Sequence, residues 1–192
     1  NAVSTRWHDY VEGNAGQYSW AAQHDPEGYA RLLGGAGKLV AKLDQMFSTP
    51  LDAKAAGLPV DVTGLIGQYA HGNEPSHHVA YFYTYAGAPW KTQERVREIL
   101  DTMYDDMPEG LSGNEDCGQM SAWYVLSALG FYPVDPASAN YVLTSPLFDR
   151  ATVDLGEGRR FAVSVERSSP GDVSIQSATL GGKPLPRAWI TH

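Results

Sequence analysis

The sequence is poor in cysteine and in positive charge. Its one cysteine, Cys117, excludes an internal disulfide and a cysteine-rich zinc site. The 14 lysine and arginine residues are outnumbered by 22 aspartate and glutamate residues, which gives a net charge of −8 at pH 7. Because an acidic chain without a basic stripe binds nucleic-acid phosphates poorly, we expect no nucleic-acid partner. No apolar run approaches the roughly 18 residues that a membrane-spanning helix needs, so we expect no membrane span.

Apolar residues, glycine and aromatic residues are plentiful instead. Hydrophobic residues make up 43% of the 192 residues, which is enough for a packed core and excludes wholesale disorder. The length predicts one domain or slightly more. The 20 glycines predict many turns, and the aromatic content of 11% suits a surface that stacks on rings.

The spacing of apolar residues predicts a helical chain up to about residue 132. The first helix is expected to begin at an Asp25 cap, with Pro26 in its first turn, and to run to Phe47. Residues 51–72 are expected to form a loop with at most a short helix near 62–69. Further helices are predicted over 75–86, 91–105 and 117–129, the last of them closed by Gly130.

Beyond residue 133 the pattern becomes short, alternating and β-branched. These segments predict strands over 141–143, 152–155, 161–165 and 173–180, separated by turns rich in glycine and serine. The predicted fold class is therefore α+β, with a helical part over residues 1–132 and a C-terminal β segment over residues 133–192.

Three loops combine carboxylates, amides and histidines with glycine, and the third of them, residues 113–120, places Glu115 beside Asp116. Asp116, with Gln119 three residues on, fits a capping box at the start of a helix. That interpretation explains Asp116 alone, whereas two adjacent carboxylates repel each other unless a positive charge or a proton compensates. A bound cation or a sugar hydroxyl would supply the compensation.

The second loop, residues 71–78, contains Asn73, Glu74 and two adjacent histidines. On a helix His77 and His78 point about 100° apart, so they do not form a zinc site of the H-x-x-x-H kind. They are equally explained as core histidines that bond to a carbonyl. Oxygen ligands from an acidic-amide loop suit calcium, a hard cation. The alternative for Glu74 is a solvated charge at a helix start.

The first loop, residues 11–20, places Glu12 near several aromatic residues, namely Trp7, Tyr10, Tyr18 and Trp20. Contact with aromatic rings would dehydrate the carboxyl and favour its protonated form, as a general acid requires. Glu12 is equally explained as a turn glutamate beside core aromatics. Two carboxyl groups, one protonated and one ionised, are the requirement for glycoside hydrolysis. Glu12 with Asp116 or Glu115 meets that requirement by residue type.

Motifs in these loops carry a resemblance to a known family. They are the runs Glu12-Gly-Asn-Ala-Gly-Gln-Tyr18, Gly72-Asn-Glu-Pro-Ser-His-His78, Gly113-Asn-Glu-Asp-Cys-Gly-Gln-Met-Ser-Ala-Trp-Tyr124, Gly130-Phe-Tyr-Pro133 and Gln176-Ser-Ala-Thr-Leu180. In order and spacing the chain resembles glycoside hydrolase family 92, the calcium-dependent exo-acting α-mannosidases. One departure is Gly16, which stands where a large aromatic residue is expected and so alters a subsite wall.

The resemblance implies a fold and a biological setting. Family members are several times longer and join an N-terminal β-sandwich to an (α/α)6 barrel. This chain resembles only their C-terminal portion, so residues 1–132 are expected to hold the last helices of the toroid as a partial helical catalytic domain. The small antiparallel β segment would follow, and the missing N-terminal portion would be a partner in the same polypeptide. A secreted or periplasmic location and a mannose-containing glycan as substrate are also implied.

The resemblance further implies an inverting mechanism that removes terminal α-linked mannose, with α-1,2 as the expected linkage. Glu12 would be the catalytic acid and Asp116 the catalytic base. Calcium (Ca2+) would bind vicinal hydroxyls of the sugar, with Gln68 as a weaker candidate ligand. The expected metal ligands are Asn73, Glu74 and Asp116. The expected substrate-binding residues are Trp20, Glu74, His77, His78, Glu115 and Gln119.

Two other functions stay open at the level of sequence. One is a metal-free (α/α)6 glycosidase acting on glucosides, against which the oxygen-rich loop at Asn73 and Glu74 argues. The other is a carbohydrate-binding or structural module without catalysis. Residues 134–192, with Trp189, would then form a lectin-like surface or close the barrel.

Overall fold

The computed structural model of the protein describes residues 10–51 and 62–192. Helices fill the first part of the chain: α1 (Ala15–Tyr18), α2 (Pro26–Leu32), α3 (Ala36–Ser48), α4 (Phe82–Tyr85), α5 (Pro89–Thr102) and α6 (Gln119–Leu129). A hairpin of β1 (Leu65–Ile66) and β2 (Tyr69–Ala70) and two 3-10 turns (Glu74–Ser76 and Val79–Tyr81) lie between α3 and α4. The later strands are β3 (Phe131–Tyr132), β4 (Asn140–Leu143), β5 (Arg150–Asp154), β6 (Arg160–Ser164), β7 (Thr179–Leu180), β8 (Lys183–Pro184) and β9 (Trp189–Thr191).

The first predicted helix is two helices. The Asp25 side chain caps α2 by accepting a 2.7 Å hydrogen bond from the Gly28 amide, and Pro26 occupies the first turn as expected. Gly34 and Gly35 then adopt φ values of 95° and 115°, which a helix does not allow. The chain therefore stops after α2 and starts again as α3. Gly130, with φ of 99°, closes α6 as predicted.

Two predictions in the middle of the chain are wrong. The loop expected over residues 51–72, with at most a short helix near 62–69, instead contains the β1–β2 hairpin, because Gly67 adopts a φ of 59° that turns the chain back. The helix expected over 75–86 is a pair of 3-10 turns followed by the short α4. Pro75 lies in the first of these turns, at a position whose amide would have no helical hydrogen-bond partner in any case.

The core lies where α3, α4, α5 and α6 meet. Leu39 and Leu43 of α3 and Ile99 of α5 are fully buried. They pack with a cluster of aromatic side chains: Tyr69, Tyr81, Phe82, Tyr83 and Trp123. The second loop of the sequence analysis is largely buried beside this core, and the third ends at the buried Met120.

The β segment consists of small antiparallel sheets. Strands β3, β4 and β9 form one sheet, while β5–β6 and β7–β8 are separate hairpins. The strands expected near 141–143, 152–155 and 161–165 are present, but only Thr179–Leu180 of the strand expected over 173–180 is extended in a ladder. Gly181 and Gly182, both at positive φ, turn that strand into β8.

Arg97 fastens the β segment to α5, and Arg167 binds the same carbonyl from within the β segment. The Nη2 groups of Arg97 and Arg167 both donate hydrogen bonds to the carbonyl oxygen of Pro146, that of Arg97 at 2.9 Å. Arg167 also pairs with Asp149 at 2.5 Å. The protein thus has the mixed helical and antiparallel content that was predicted, whereas the complete toroid and the division at residue 132 stay predictions. Within the described ranges no helix is long and apolar enough to cross a membrane.

Candidate active site

Two loops cross at a pair of glycines and hold each other in place. The Gly72 amide donates to the Thr63 carbonyl at 3.1 Å, and the Gly113 amide donates to Oγ1 of Thr63 at 2.7 Å. At the crossing the two glycine backbones are in direct contact. Glu74 lies just after the first glycine and Asp116 just after the second. The crossing therefore brings together two carboxylates that are far apart in sequence.

The carboxyl groups of Glu74 and Asp116 lie close enough to share a hydrogen bond, and Glu12 contributes a further negative charge. Burial first, and then these two neighbours, raises the pKa of Glu74. The Oε1 atom of Glu74 is buried and has no hydrogen-bond partner among the described residues. Three of the predicted site residues are thus neighbours, and they form an acidic cluster to which no lysine or arginine of the described ranges is paired.

Backbone conformation is unusual at both predicted catalytic residues. Glu12 has a φ of 55°, and Asp116 and Cys117 have φ values of 50° and 57°. The Asn73 side chain holds the first of these bends by donating a 2.7 Å hydrogen bond to the Glu12 carbonyl. A fourth such residue, Glu157, lies in the β5–β6 turn, where a positive φ is ordinary. Strained residues of this kind concentrate at functional sites, because only the surrounding structure maintains them.

The capping box predicted for Asp116 is wrong, because another residue caps α6. The Glu115 carboxylate accepts hydrogen bonds from the Ser121 amide at 3.3 Å and from Oγ of Ser121 at 2.8 Å. Asp116 contributes only its backbone carbonyl, to the Gln119 amide. Its side chain is consequently free to face Glu74. Glu115 lies at the helix start, so its predicted contact with substrate competes with the cap.

A cavity of about 650 Å³ opens over the acidic cluster. Its lining includes most of the predicted substrate-binding residues, namely Glu74, His77, His78 and Gln119, together with Asp116. Sequence reasoning missed the remaining wall, which is formed by Gln23, Tyr132, Pro133, Val134 and Pro136. A signal for part of that wall was present in the Gly130-Phe-Tyr-Pro133 motif, but the motif contributed only to the resemblance.

The histidines of the site are neutral and hydrogen-bonded. His77 donates from Nε2 to the His71 carbonyl at 3.0 Å and accepts at Nδ1 from Nε2 of Gln119 at 3.0 Å. His78 donates from Nε2 to the Trp20 carbonyl at 2.7 Å. Burial lowers the pKa of His77 to about 4 and lowers the pKa of His78 as well. His78 therefore keeps an Nδ1 lone pair that protein groups of the described part do not use, whereas both nitrogens of His77 are engaged.

A third buried histidine, His71, was not predicted as a site residue. Its ring lies between two phenols, with Nδ1 2.9 Å from the Tyr69 hydroxyl and Nε2 2.6 Å from the Tyr104 hydroxyl. Burial, and then the neighbouring His77, holds the pKa of His71 well below its usual value. Because this ring is fully buried, it supports the second loop from below.

Two predicted site residues lie differently from the expectation. Trp20 is only 2% exposed, with Nζ of Lys42 4.0 Å from its ring centroid, so its ring belongs to the core and does not line the cavity. Glu12 is exposed rather than packed against aromatic rings, and the rings of Tyr10 and Tyr18 contact each other instead, tilted by 32°. Trp7, the remaining ring of that prediction, lies outside the described residues. None of the described aromatic residues therefore shields the Glu12 carboxyl from water as had been expected.

Oxygen donors suited to a hard cation are present at the cluster. Glu74 offers a buried oxygen to which no group of residues 10–51 or 62–192 donates, and Asn73 keeps its Oδ1 because its amide nitrogen bonds to Glu12. However, the described part of the chain holds no group of three His, Cys, Asp or Glu side chains that could hold a metal ion. Calcium would therefore need amide, water or sugar oxygens beside Glu74 and Asp116. Gln68 lies in the β1–β2 turn and does not line the cavity.

Comparison with known proteins decides the family. A model described as the glycosyl hydrolase family 92 catalytic domain matches residues 1–192. The chain belongs to glycosyl hydrolase family 92. The resemblance predicted from the loop motifs is thereby confirmed.

Solved structures of the family have the same fold as this family 92 chain. A family GH92 α-mannosidase of Bacteroides thetaiotaomicron is 37% identical, with a TM-score of 0.86 over 99% of this chain. A family GH92 inverting mannosidase of Bacteroides thetaiotaomicron VPI-5482 is 38% identical, with a TM-score of 0.82 over the whole chain. An uncharacterized secreted glycosidase of Arthroderma benhamiae is 29% identical over 172 residues, or 88% of this chain.

The family 92 chain spans only part of each relative. It covers 24% and 27% of the two bacterial proteins and 20% of the fungal one. This is consistent with the expectation that the remaining portion of a longer polypeptide completes the protein.

Proposed function

We propose that this family 92 chain is the C-terminal portion of an exported exo-α-mannosidase that removes terminal α-linked mannose from glycans, with α-1,2 as its linkage. The observation that carries the proposal is that Glu74 and Asp116 meet in the wall of one cavity, with Glu12 close enough to raise the pKa of Glu74 by its negative charge. Family membership and two mannosidase neighbours support the substrate class. The secreted fungal relative supports export.

The geometry supports distinct roles for the carboxyl groups. Asp116 is the base, because its side chain is released from helix capping and turns to the cavity. It removes a proton from water on the face of the ring opposite the leaving group. Glu12 is the acid and protonates the leaving oxygen. For an inverting enzyme we expect the carboxyl groups of Glu12 and Asp116 to be roughly 6.5–9.5 Å apart, which leaves room for the water.

Glu74 and Asn73, with Asp116, are the proposed calcium ligands. Bound calcium would hold the vicinal O2 and O3 hydroxyls of mannose and favour distortion of the ring towards an oxocarbenium-like geometry. The protein supplies two repelling carboxylates and a buried oxygen without a partner, and a cation relieves both. His78 and Gln119 bind sugar hydroxyls from the cavity wall.

The experiment uses the full polypeptide that carries this chain. Mannobiosides with α-1,2, α-1,3 and α-1,4 linkages and matched α-glucosides are incubated in calcium, and the first sugar anomer released is identified by proton NMR. We expect β-mannose first, from the mannosides only. Release of α-mannose would disprove inversion, and release of glucose at a comparable rate would disprove the substrate class.

A chelator tests the metal separately. Activity should be lost in excess chelator and regained when calcium is added back. Full activity in chelator would instead favour the metal-free glycosidase.

A further inference from the structure

One carboxamide in the cavity wall has its orientation set by the groups behind it. Both hydrogens of the Gln119 amide nitrogen are used, one towards Nδ1 of His77 at 3.0 Å and one towards the Tyr132 hydroxyl at 3.2 Å. Gln119 and Tyr132 both line the cavity. The oxygen of the carboxamide has no hydrogen-bond partner among the described residues.

The direction of this hydrogen-bond chain follows from its far end. A backbone carbonyl only accepts, so the contact between Nε2 of His77 and the His71 carbonyl requires hydrogen on Nε2. His77 is 3% exposed, and no carboxylate is bonded to its ring, so the ring is neutral. A neutral ring with hydrogen on Nε2 has a lone pair on Nδ1. The group of Gln119 that faces Nδ1 must therefore be the donor, the NH2.

We propose that His77 is a positioning residue that turns Gln119 so that the cavity receives only its oxygen, as an acceptor for one hydroxyl of the sugar. This deepens the proposed function and rests on it. His77 was predicted to bind substrate directly, but neither of its ring nitrogens is available. Its contribution passes through Gln119 instead.

Tyr132 completes the recognition. Because its oxygen accepts from Gln119, its own hydrogen is directed elsewhere and is available to the cavity. The pair thus offers one acceptor and one donor side by side. A hydroxyl, which both donates and accepts, satisfies the pair, whereas a methyl ether or a missing hydroxyl does not. This selects a sugar that carries a free hydroxyl at that position.

Two matched variants of His77 separate positioning from packing. In an asparagine, Oδ1 is as many bonds from Cα as Nδ1 is in histidine, so His77→Asn keeps the acceptor towards Gln119. In a glutamine, Nε2 matches the Nε2 of histidine, so His77→Gln keeps only the donor towards the His71 carbonyl. Both variants remove the ring, and they differ in which hydrogen bond survives.

The binding experiment uses the full polypeptide with calcium. Methyl α-mannoside and its derivatives lacking one hydroxyl in turn are titrated by calorimetry. In the wild type we expect one derivative to bind about three- to tenfold more weakly, as expected for one neutral hydrogen bond. That penalty should vanish in Gln119→Met, persist in His77→Asn and vanish in His77→Gln. Equal behaviour of the two His77 variants, or no penalty in the wild type, overturns the proposal.

A neutron structure of the wild-type polypeptide tests the orientation without any ligand. We expect deuterium on Nε2 of His77, none on Nδ1, and both amide deuterons of Gln119 directed at His77 and Tyr132. Deuterium on Nδ1 overturns the inference even if mannosides bind. If methyl α-mannoside fails to bind the wild type, the proposed function fails, and the neutron result alone decides the orientation.

Discussion

A Cβ atom added to Gly113 would lie 2.1 Å from the carbonyl oxygen of Gly72. No side chain fits there, because real Cβ atoms do not approach a backbone oxygen so closely. The contact is between two glycines from separate loops, and each loop carries an acidic residue of the site. The spacing of the acidic cluster therefore depends on the absence of two methyl groups.

Replacing Gly113 should damage stability and site together. Gly113→Ala forces the two loops apart and places alanine at a φ of 69°. We therefore expect the free energy of unfolding to fall by about 2–4 kcal/mol. We also expect calcium to bind more weakly. Gly37→Ala is the matched control, because Gly37 lies in α3 with nothing within 4 Å of its Cβ position. The control should be neutral or slightly stabilising. Thermal unfolding of the full polypeptide provides the measurement, and equal shifts for both variants would contradict the explanation.

The roles proposed for the carboxyl groups of Glu12 and Asp116 can be separated by the choice of leaving group. Asp116→Asn removes the base for every substrate, so rates should fall by a similar large factor with natural and activated mannosides. Glu12→Gln removes only the proton donor, so an aryl mannoside with an acidic phenol should lose much less rate than a disaccharide. General acids and bases contribute about 10²–10⁴-fold, so the contrast is measurable as kcat. If Glu12→Gln slows both substrates equally, Glu12 is not the acid, and Glu74 or Glu115 becomes the candidate.

Neutralising Glu74 should stabilise the metal-free protein. In Glu74→Gln the negative charge that repels Asp116 is gone, and the new amide can donate a hydrogen bond to Asp116. We expect this change to raise the free energy of unfolding by on the order of 1 kcal/mol and the melting temperature in chelator by a few degrees. The raised pKa of Glu74 means that the folded wild type itself gains stability as pH falls, so the difference should shrink at acid pH. Glu94→Gln, at an exposed site on α5, is the control. A lower melting temperature for Glu74→Gln would count against a strained acidic cluster.

The buried histidines predict a loss of stability in mild acid. The pKa of His77 is about 4 in the folded chain and 6.5 in the unfolded chain. Between these values the unfolded chain binds a proton that the folded chain does not, so stability is full above pH 6.5 and falls towards pH 4. At about 1.4 kcal/mol per pKa unit, His77 alone lowers the free energy of unfolding by about 3 kcal/mol over this pH range. His71 and His78 act in the same direction. Melting temperatures from pH 7 to 4 should fall less steeply in His77→Asn, and a parallel fall would refute this account.

Local signals predicted the fold where one short segment decides the outcome. Three local features were predicted correctly, namely the Asp25 cap, Pro26 in the first turn and Gly130 at the end of α6. Each of these residues affects only neighbours a few positions away in the sequence. The β1–β2 hairpin was missed because strands of two residues leave no alternation to detect. The split between α2 and α3 was missed because an apolar face continued through Gly34 and Gly35.

The candidate site was predicted through motifs more than through periodicity. Loop composition marked Glu74 and Asp116 before any contact was known, but the exchange of capping from Asp116 to Glu115 depends on left-handed backbone at residues 116 and 117. Two successive non-glycine residues in that conformation have no sequence signal. Gln23 and Tyr132 meet across the cavity only because distant parts of the chain are folded together.

The shared carbonyl of Pro146 has a consequence for how such enzymes diverge. Arg97 ties the β segment to α5 at this carbonyl, to which Arg167 of the β segment also donates, while the residues just before β4 form one wall of the cavity over Glu74 and Asp116. Recombination between family members at the junction near residue 132 would therefore exchange part of the cavity wall along with the strands. A hybrid would inherit its carboxylates from one parent and some of its substrate preference from the other.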